Sequence, residues 1–175
     1  SQVWKYREDI RKMHKLQEQY LFLARHNIHS AEELVGTIDS LTDKKKETSA
    51  EKSRVYKARE RNRELFAAAD EMETLKPAEQ SYRLGDTFFE DEHRKWVALE
   101  QELQAQGYSL EEVQALRKHY KNEYSQVCAK EKVVFRELNM GKAILNSIIP
   151  DSISDGKKTE YNREIIRDRK EQPVR

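Results

Sequence analysis

The amino-acid sequence predicts an all-α protein, an elongated antiparallel helical bundle. Hydrophobic and charged residues each make up 37% of the 175 residues and the mean hydropathy is −1.01, which is too polar for a compact globule with a deep core. Only five Gly and three Pro interrupt a chain rich in helix-forming residues. Apolar side chains recur in alternating steps of three and four, the spacing of an amphipathic helix. Intrinsic disorder is the competing interpretation, but the regular spacing of eight Tyr, five Phe and two Trp argues against it outside the end of the chain.

The first helix is predicted over residues 2–25. Its apolar positions fall on one stripe, broadened by Leu16, Leu21 and Leu23. A turn follows at residues 26–29, and Ser30 with Glu33 has the spacing of a capping box that starts the next helix. We label this first helix α1 and call the following residues the α1 stripe: Val3, Tyr6, Ile10, Met13, Gln17, Tyr20 and Ala24.

The second helix is predicted over residues 31–75, with Pro77 just beyond its end. Its seam is apolar near both ends and polar in the middle, where Lys45, Thr48 and Lys52 occupy the seam positions. A helix that is polar there cannot be fully buried there. The alternative to one continuous helix is a break within residues 42–50.

Residues 77–87 are predicted to be a connector, with room for a short helical turn at residues 78–82, and a third helix follows over residues 88–106. Gly85 marks a break in the connector, and Gly107 ends the third helix, because glycine readily takes the left-handed conformation that follows a helix. The apolar face of this helix is Phe88, Phe89, Trp96, Leu99 and Leu103.

The fourth predicted helix spans residues 110–149 and organises the bundle. Ser109 and Glu112 form a capping box at its start, and Pro150 ends it. About forty residues give a rod of roughly 60 Å. The seam keeps its register throughout: Val113, Tyr120, Tyr124, Val127, Val134, Leu138, Leu145 and Ile148.

The order of these helices predicts their arrangement. The two long helices run antiparallel, and the shorter helices over residues 2–25 and 88–106 pack at opposite ends of them. We expect residues 1–150 to form one elongated helical domain. Residues 151–175 are polar and include Pro173, so we expect a mostly flexible tail with room for one short helix.

The charge distribution points to one functional surface. The net charge is only +1, but residues 44–63 hold nine Lys or Arg and three Glu, a local charge of +6. Basic residues of the last helix would lie beside them. Cations spaced along a helix can contact the phosphates of a DNA backbone without any base-specific geometry. The alternative is a solvated charged face. We call the following candidate DNA-backbone contacts the basic waist: Lys44, Lys45, Lys46, Lys52, Arg54, Lys57, Arg61, Lys121, Lys130 and Arg136.

The sequence predicts no catalytic, cofactor or metal site. His26 and His29 could reach one metal ion, but no further ligand stands at a suitable spacing. His93 follows two acidic residues, yet neighbours on a helix point apart. Cys128 adjoins the seam and is expected to be a packing residue. We therefore expect a non-enzyme.

Three further features of the sequence concern the cellular compartment and the extent of the protein. A single cysteine excludes an internal disulfide and fits a reducing cytoplasm. No apolar run reaches the roughly 18 residues of a membrane span. The chain begins with Ser1 inside a helical pattern, so we expect a piece of a larger protein, the alternative being a flexible chain end.

Two segments resemble the helical region that follows the nuclease domain in relaxases, the mobilisation proteins of conjugative plasmids and transposons. Residues 4–34 resemble that family in Trp4, Lys12, Met13, Leu21, Leu23, Ile28, Ser30, Glu32, Glu33 and Leu34. Residues 113–148 resemble it in Leu116, Tyr120, Glu131, Lys132, Phe135, Arg136 and Met140. A looser similarity lies in residues 89–103. Relaxases cut one DNA strand with a tyrosine, a histidine cluster and a bound metal, and this sequence has no such histidine cluster, so the nicking site is carried over to no residue.

The resemblance implies a non-catalytic accessory or scaffold region of a relaxase-like DNA mobilisation protein in the bacterial cytoplasm. It would position DNA or other conjugative-transfer proteins, with the basic waist as the DNA surface and no small-molecule substrate. The alternative is a helical protein–protein adaptor with no DNA role, which would dock through exposed apolar residues such as Leu16 or Leu21. The long seams also allow pairing of two copies into a homodimer.

Overall fold

The computed structural model describes residues 2–149, and in that range the protein is an all-α helical bundle without strands. Five α-helices and one short 3-10 helix account for nearly all of these residues. The predicted tail at 151–175 and Pro150 lie outside the described residues. The elements are α1 (Gln2–Arg25), α2 (Ala31–Arg61), α3 (Arg63–Arg83), the 3-10 helix (Thr87–Phe89), α4 (Glu90–Ala105) and α5 (Leu110–Ile148).

The helices form two compact units. Unit 1 contains, among the described residues, 2–49 and 130–149, and unit 2 contains residues 50–129. Helices α2 and α5 therefore each contribute to both units, while α1 belongs to unit 1 and α3 and α4 to unit 2.

The core of unit 1 is built where α1, α2 and α5 approach closely. Gly141 allows this approach, because a Cβ atom there would lie 3.1 Å from Ile38 Cγ1 and 3.3 Å from Phe22 Cζ. Helix α1 contributes its last turns, through the fully buried Phe22 and the half-buried Leu23. The buried residues are Phe22, Ile28, Leu34, Val35, Ile38, Leu41, Leu138, Ile144, Leu145 and Ile149.

The α1 stripe is not part of this core. Helix α1 has the predicted bounds, but every residue from position 3 to position 18 is exposed, and so is the rest of the stripe. The helix packs through the opposite face, because Phe22 lies about 150° around the helix from the centre of the stripe. The periodicity correctly indicated an amphipathic helix, and its apolar face is exposed in this chain.

The core of unit 2 lies between α3, α4 and the first half of α5. Met72, Leu103 and Val113 are almost inaccessible to solvent. Trp96 and Leu103 lie on the predicted apolar face of the third helix, but Phe88 is 82% exposed and belongs to the 3-10 helix that precedes α4. The buried residues are Leu65, Phe66, Ala68, Ala69, Met72, Trp96, Leu103 and Val113.

The helix predicted over residues 31–75 is two helices, and the interruption lies at Asn62 rather than within residues 42–50. The Asn62 side chain donates its Nδ2 hydrogen to the Ala58 carbonyl at 2.9 Å. That carbonyl is the acceptor that the Asn62 backbone amide would use in a regular α-helix, so the amide bonds instead to the Arg59 carbonyl at 3.1 Å. The backbone therefore tightens by one hydrogen-bond step at Asn62, and α3 begins directly afterwards.

Helix α3 continues through Pro77 to Arg83, although the sequence predicted an end near residue 75. An internal proline costs about 3 kcal/mol because it lacks an amide hydrogen and crowds the preceding turn. The turn beyond Pro77 packs on α4: Glu79 is buried, and the Tyr82 ring stacks on His93 with centroids 4.1 Å apart. These contacts oppose the cost of the proline.

The predicted helix boundaries at capping residues agree with the structure. Ser109 and Glu112 form the expected reciprocal box, with hydrogen bonds of 2.9 and 3.2 Å. In the second box the Glu33 amide donates to Ser30 Oγ at 3.2 Å, but the Glu33 carboxylate accepts from the His29 amide at 2.6 Å. Local hydrogen bonds therefore set these helix starts.

Three helices end in the same way. Asn27, Gly85 and Gly107 have positive φ angles of 51°, 105° and 83°. After each of them the chain forms the paired backbone hydrogen bonds of a Schellman motif, such as Tyr108 N to Leu103 O at 3.0 Å beside Gly107 N to Gln104 O at 2.9 Å. The predicted roles of Gly85 and Gly107 are confirmed, and Asn27 fills the same role between α1 and α2.

Candidate nucleic-acid interface

A groove in unit 2 concentrates basic side chains. Its volume is about 920 Å³. Five cationic residues and two acidic residues line it, a net charge of +3, and apolar or uncharged residues complete the wall. We call this feature the basic groove: Arg59, Arg63, Arg117, Lys118 and Lys121, with Glu60, Asp70, Phe66, Ala67 and Gln114.

Helix periodicity places the cations on both walls. Arg117, Lys118 and Lys121 lie within one turn of α5 and are all exposed. Arg59 and Arg63 lie four positions apart, on either side of the interruption at Asn62, and are exposed as well. The end of α2 and the start of α3 therefore form one wall and α5 the other.

The floor and walls of the basic groove are held by contacts within unit 2. The Phe66 ring is buried and meets the Tyr120 ring edge-on, with centroids 6.4 Å apart. Arg117 forms an ion pair with Asp70 across the groove, and the guanidinium carbon of Arg59 lies 5.8 Å from the Tyr124 ring centroid. These contacts orient the arginine side chains and leave their charge at the surface.

Five residues of the basic waist lie in unit 2, and Lys121 alone among them lines the basic groove. Arg54, Lys57 and Arg61 are exposed and share a face of α2 through their spacing of three and four. Arg59 lies on a different face, so this row is a second basic surface of unit 2. Lys52 is half-buried.

The other five residues of the basic waist lie in unit 1. Lys45 is half-buried, and its ammonium nitrogen lies 4.5 Å from the Phe135 ring centroid, a cation–π contact. The remaining four are exposed: Lys44, Lys46, Lys130 and Arg136.

Sequence reasoning missed four cations of the basic groove. Arg59 and Arg63 fall inside the basic run that was recognised but were left out of the basic waist. Arg117 and Lys118 precede Lys121 by four and three positions, so helical spacing alone could have joined them to it. What spacing could not reveal is that the two walls face one groove.

A second feature of unit 2 is the carboxylate of Glu79, which is buried between α3 and α4. Its two oxygens accept hydrogen bonds from Arg83 Nε and pair with His93 Nδ1, both at 2.7 Å. Burial by itself would raise the pKa of Glu79, but the hydrogen bonds from Arg83 and His93 outweigh it and hold that pKa below its usual value. His93 thus pairs with a distant carboxylate and not with the acidic residues that precede it.

Unit 1 contains a similar arrangement around Glu137. Arg25 and His26, at the end of α1, contact its two oxygens at 2.6 and 2.8 Å, and the Phe22 ring packs on His26. Burial by itself would raise the pKa of Glu137, but the hydrogen bonds from His26 and Arg25 outweigh it and hold that pKa below its usual value. This ion cluster attaches the end of α1 to α5.

The residues weighed earlier for metal binding are engaged in hydrogen bonds. His26 contacts Glu137, and His29 Nε2 lies 2.8 Å from Asn27 Oδ1. Within residues 2–149 no group of three or more His, Cys, Asp or Glu side chains is arranged to hold a metal ion. Cys128 is half-buried beside the seam of α5.

Comparison of the chain with protein-family models, with curated proteins and with solved structures finds no match in any of the three. None of the helices in the described part of the chain combines the length and the apolar character that crossing a membrane requires.

Proposed function

We propose that this chain is a non-catalytic helical region of a relaxase-like mobilisation protein and that it contacts the DNA backbone through the basic groove. The resemblance of residues 4–34 and 113–148 supports the family. One observation carries the DNA contact: five cationic side chains from three helices surround a single groove that holds only two acids.

The groove is suited to phosphates rather than to bases. Phe66 is only 8% exposed and packs against Tyr120, so its ring belongs to the core and is not presented to a base. Lysine and arginine side chains on helices supply charge without a base-specific geometry. We therefore expect sequence-independent binding that weakens steeply with salt.

Fluorescence anisotropy at low salt tests this proposal with labelled single-stranded and double-stranded DNA. The double change Lys118→Glu with Lys121→Glu should weaken binding at least about tenfold, because each reversal replaces a phosphate contact with a repulsion. Both residues are exposed, so the fold should be unaffected.

The matched control is Lys5→Glu with Lys15→Glu, which changes the net charge equally at exposed sites on α1. We expect the control to bind DNA nearly as well as the unchanged chain. Absence of binding to either DNA at low salt, or equal losses in both variants, would contradict the DNA contact.

A second candidate function is a helical protein–protein adaptor with no DNA role. The exposure of Leu16 and Leu21 on α1, at 64% and 47%, favours it. In a pull-down, Leu16→Glu with Leu21→Glu would then abolish capture of a partner, whereas Lys45→Glu with Lys52→Glu would not. Unchanged capture of the partner in the Leu16 and Leu21 variant would contradict this candidate.

A further inference from the structure

The α1 stripe is an exposed apolar seam with the repeat of a coiled coil. Its seven residues alternate steps of three and four, as the a and d positions of heptads do. Val3, Tyr6, Met13 and Tyr20 are 65–71% exposed and Ile10 is 49% exposed. An exposed apolar row of this length on one helix marks an interaction surface.

Unit 1 does not cover this seam, because α1 is attached through its other side. Phe22, which occupies an f position when Val3 is assigned to a, is fully buried against Gly141 and its neighbours. Arg25 and His26 fix the same end of the helix to Glu137. Turning the stripe toward the core of unit 1 would remove these contacts.

The residues that flank the seam match a second copy of α1 in parallel orientation. In a parallel pair each g position lies beside the e position five residues later in the other copy. Asp9 would then lie beside His14 of a second copy, and Leu16 beside Leu21. An antiparallel pair would instead place Asp9 beside Leu16 and Arg7 beside His14. The acid–histidine contact and the leucine–leucine contact of the parallel pair would both be lost.

Gln17 supports the same arrangement. It is the polar residue at an a position, and a polar a residue selects register and strand number in two-stranded coils. A glutamine amide both donates and accepts hydrogen bonds, so two Gln17 side chains facing each other can satisfy one another. Only a parallel pair in register brings them together.

The size of the seam fits a specific dimer. The stripe extends over about 32 Å of helix. Five large apolar side chains of the stripe, with Leu16 and Leu21, would remove roughly 1,400 Å² from solvent in two copies, within the range of stable interfaces. We propose that α1 pairs with α1 of a second copy as a parallel two-stranded coiled coil and makes the protein a homodimer. This inference does not depend on DNA binding.

Sedimentation equilibrium of the full chain over a wide concentration range tests the proposal. The expected mass is twice the 20.8 kDa of one chain. Ile10→Glu with Met13→Glu should raise the dimer dissociation constant at least about tenfold, because it places charges in a seam that pairing desolvates. Trp4→Glu is the control, since Trp4 is 70% exposed but lies on the face of Phe22, away from the stripe, and this variant should still dimerise.

Disulfide trapping tests the orientation in a Cys128→Ser background. Gln17→Cys should form an intermolecular disulfide in a parallel pair, and a mixture of Tyr6→Cys and Gln17→Cys chains should not form the mixed disulfide. A monomer at every concentration would overturn the proposal, including the case in which a helix of a different protein covers α1. A dimer that persists unchanged in the Ile10 and Met13 variant, or a dominant mixed disulfide, would overturn it as well.

Discussion

At the scale of single residues, the backbone at Gly107 and the carboxylate of Glu79 carry the clearest energetic consequences. Gly107 ends α4 with a φ angle of 83°, a conformation in which side chains with a Cβ atom are disfavoured. Glu79 is an acidic group removed from solvent and held by two basic partners. Each can be tested by a substitution that leaves the surrounding packing intact.

Gly107→Ala should lower the free energy of unfolding by about 1 kcal/mol, because alanine pays a steric penalty in the left-handed region. A Cβ atom there would meet no neighbour within 4 Å, so the loss reports on the backbone alone. Gly107→Asn is the matched control and should lose less, since asparagine adopts this conformation more readily. Urea unfolding measures both, and equal losses would contradict the explanation.

Glu79→Gln should destabilise the protein by about 2 kcal/mol at neutral pH, because two hydrogen bonds to a charged group are weakened. The pKa of Glu79 is lower in the folded state, so the carboxylate stabilises the fold above the unfolded pKa of about 4.3. That contribution is lost as the pH falls through the folded pKa.

Unfolding measured from neutral to acidic pH should therefore show a shallower loss of stability in Glu79→Gln than in the unchanged chain. Glu102→Gln, at an exposed position of α4, serves as the control and should keep the full acid dependence. An unaltered acid profile in the Glu79 variant would show that the buried ion cluster does not contribute.

At the scale of elements, we attribute the junction between α2 and α3 to the Asn62 side chain, and this attribution can be tested by substitution. Asn62 takes the carbonyl of Ala58 that its own amide would otherwise use. Asn62→Ala should remove this competition and raise the thermal midpoint, with a gain above the roughly 0.7 kcal/mol of helix propensity. The control is Asn122→Ala at an exposed position of α5, which should give the propensity gain alone. A lower midpoint for Asn62→Ala would show that packing requires the interruption.

The approach of α1 to α2 and α5 makes a second prediction at this scale. Gly141→Val should destabilise unit 1 by roughly 2 kcal/mol, because its side chain would collide with Ile38 and Phe22. Calorimetry measures the loss. Lys142→Val, at the exposed neighbouring position, should have a small effect, and a stable Gly141 variant would mean that the helices can separate without penalty.

At the scale of the whole molecule, the net charge of +1 hides a strongly uneven distribution. If the basic groove binds DNA backbone, the logarithm of the association constant should fall linearly with the logarithm of salt concentration. Lys118→Gln with Lys121→Gln should reduce the magnitude of that slope by about 2, one for each phosphate contact removed. Anisotropy titrations at several salt concentrations give the slope, and an unchanged slope would place the contact elsewhere.

Features set by interactions within one helical turn could be predicted from the sequence, whereas features set by contacts between helices could not. Caps at Ser109 and Gly107 were predictable, because each depends on residues within one turn. The continuation of α3 through Pro77 was not, because it depends on the contact of Glu79 with His93 on another helix. The basic groove was predicted only at Lys121 for the same reason: spacing identifies cations on one helix but does not show which walls face each other.

The exposure of α1 has a further consequence for how this helix forms. Isolated helices of this length are marginal in water, because nucleation is costly and most helical stability in proteins comes from packing. The first turns of α1 gain no such packing from unit 1. If α1 pairs with a second copy, helix formation in its first turns is thermodynamically coupled to dimer formation. The helical signal per residue in far-ultraviolet circular dichroism should then increase with protein concentration and follow the same isotherm as dimer formation. The fraction of chains in which the first turns of α1 are helical would then depend on the protein concentration.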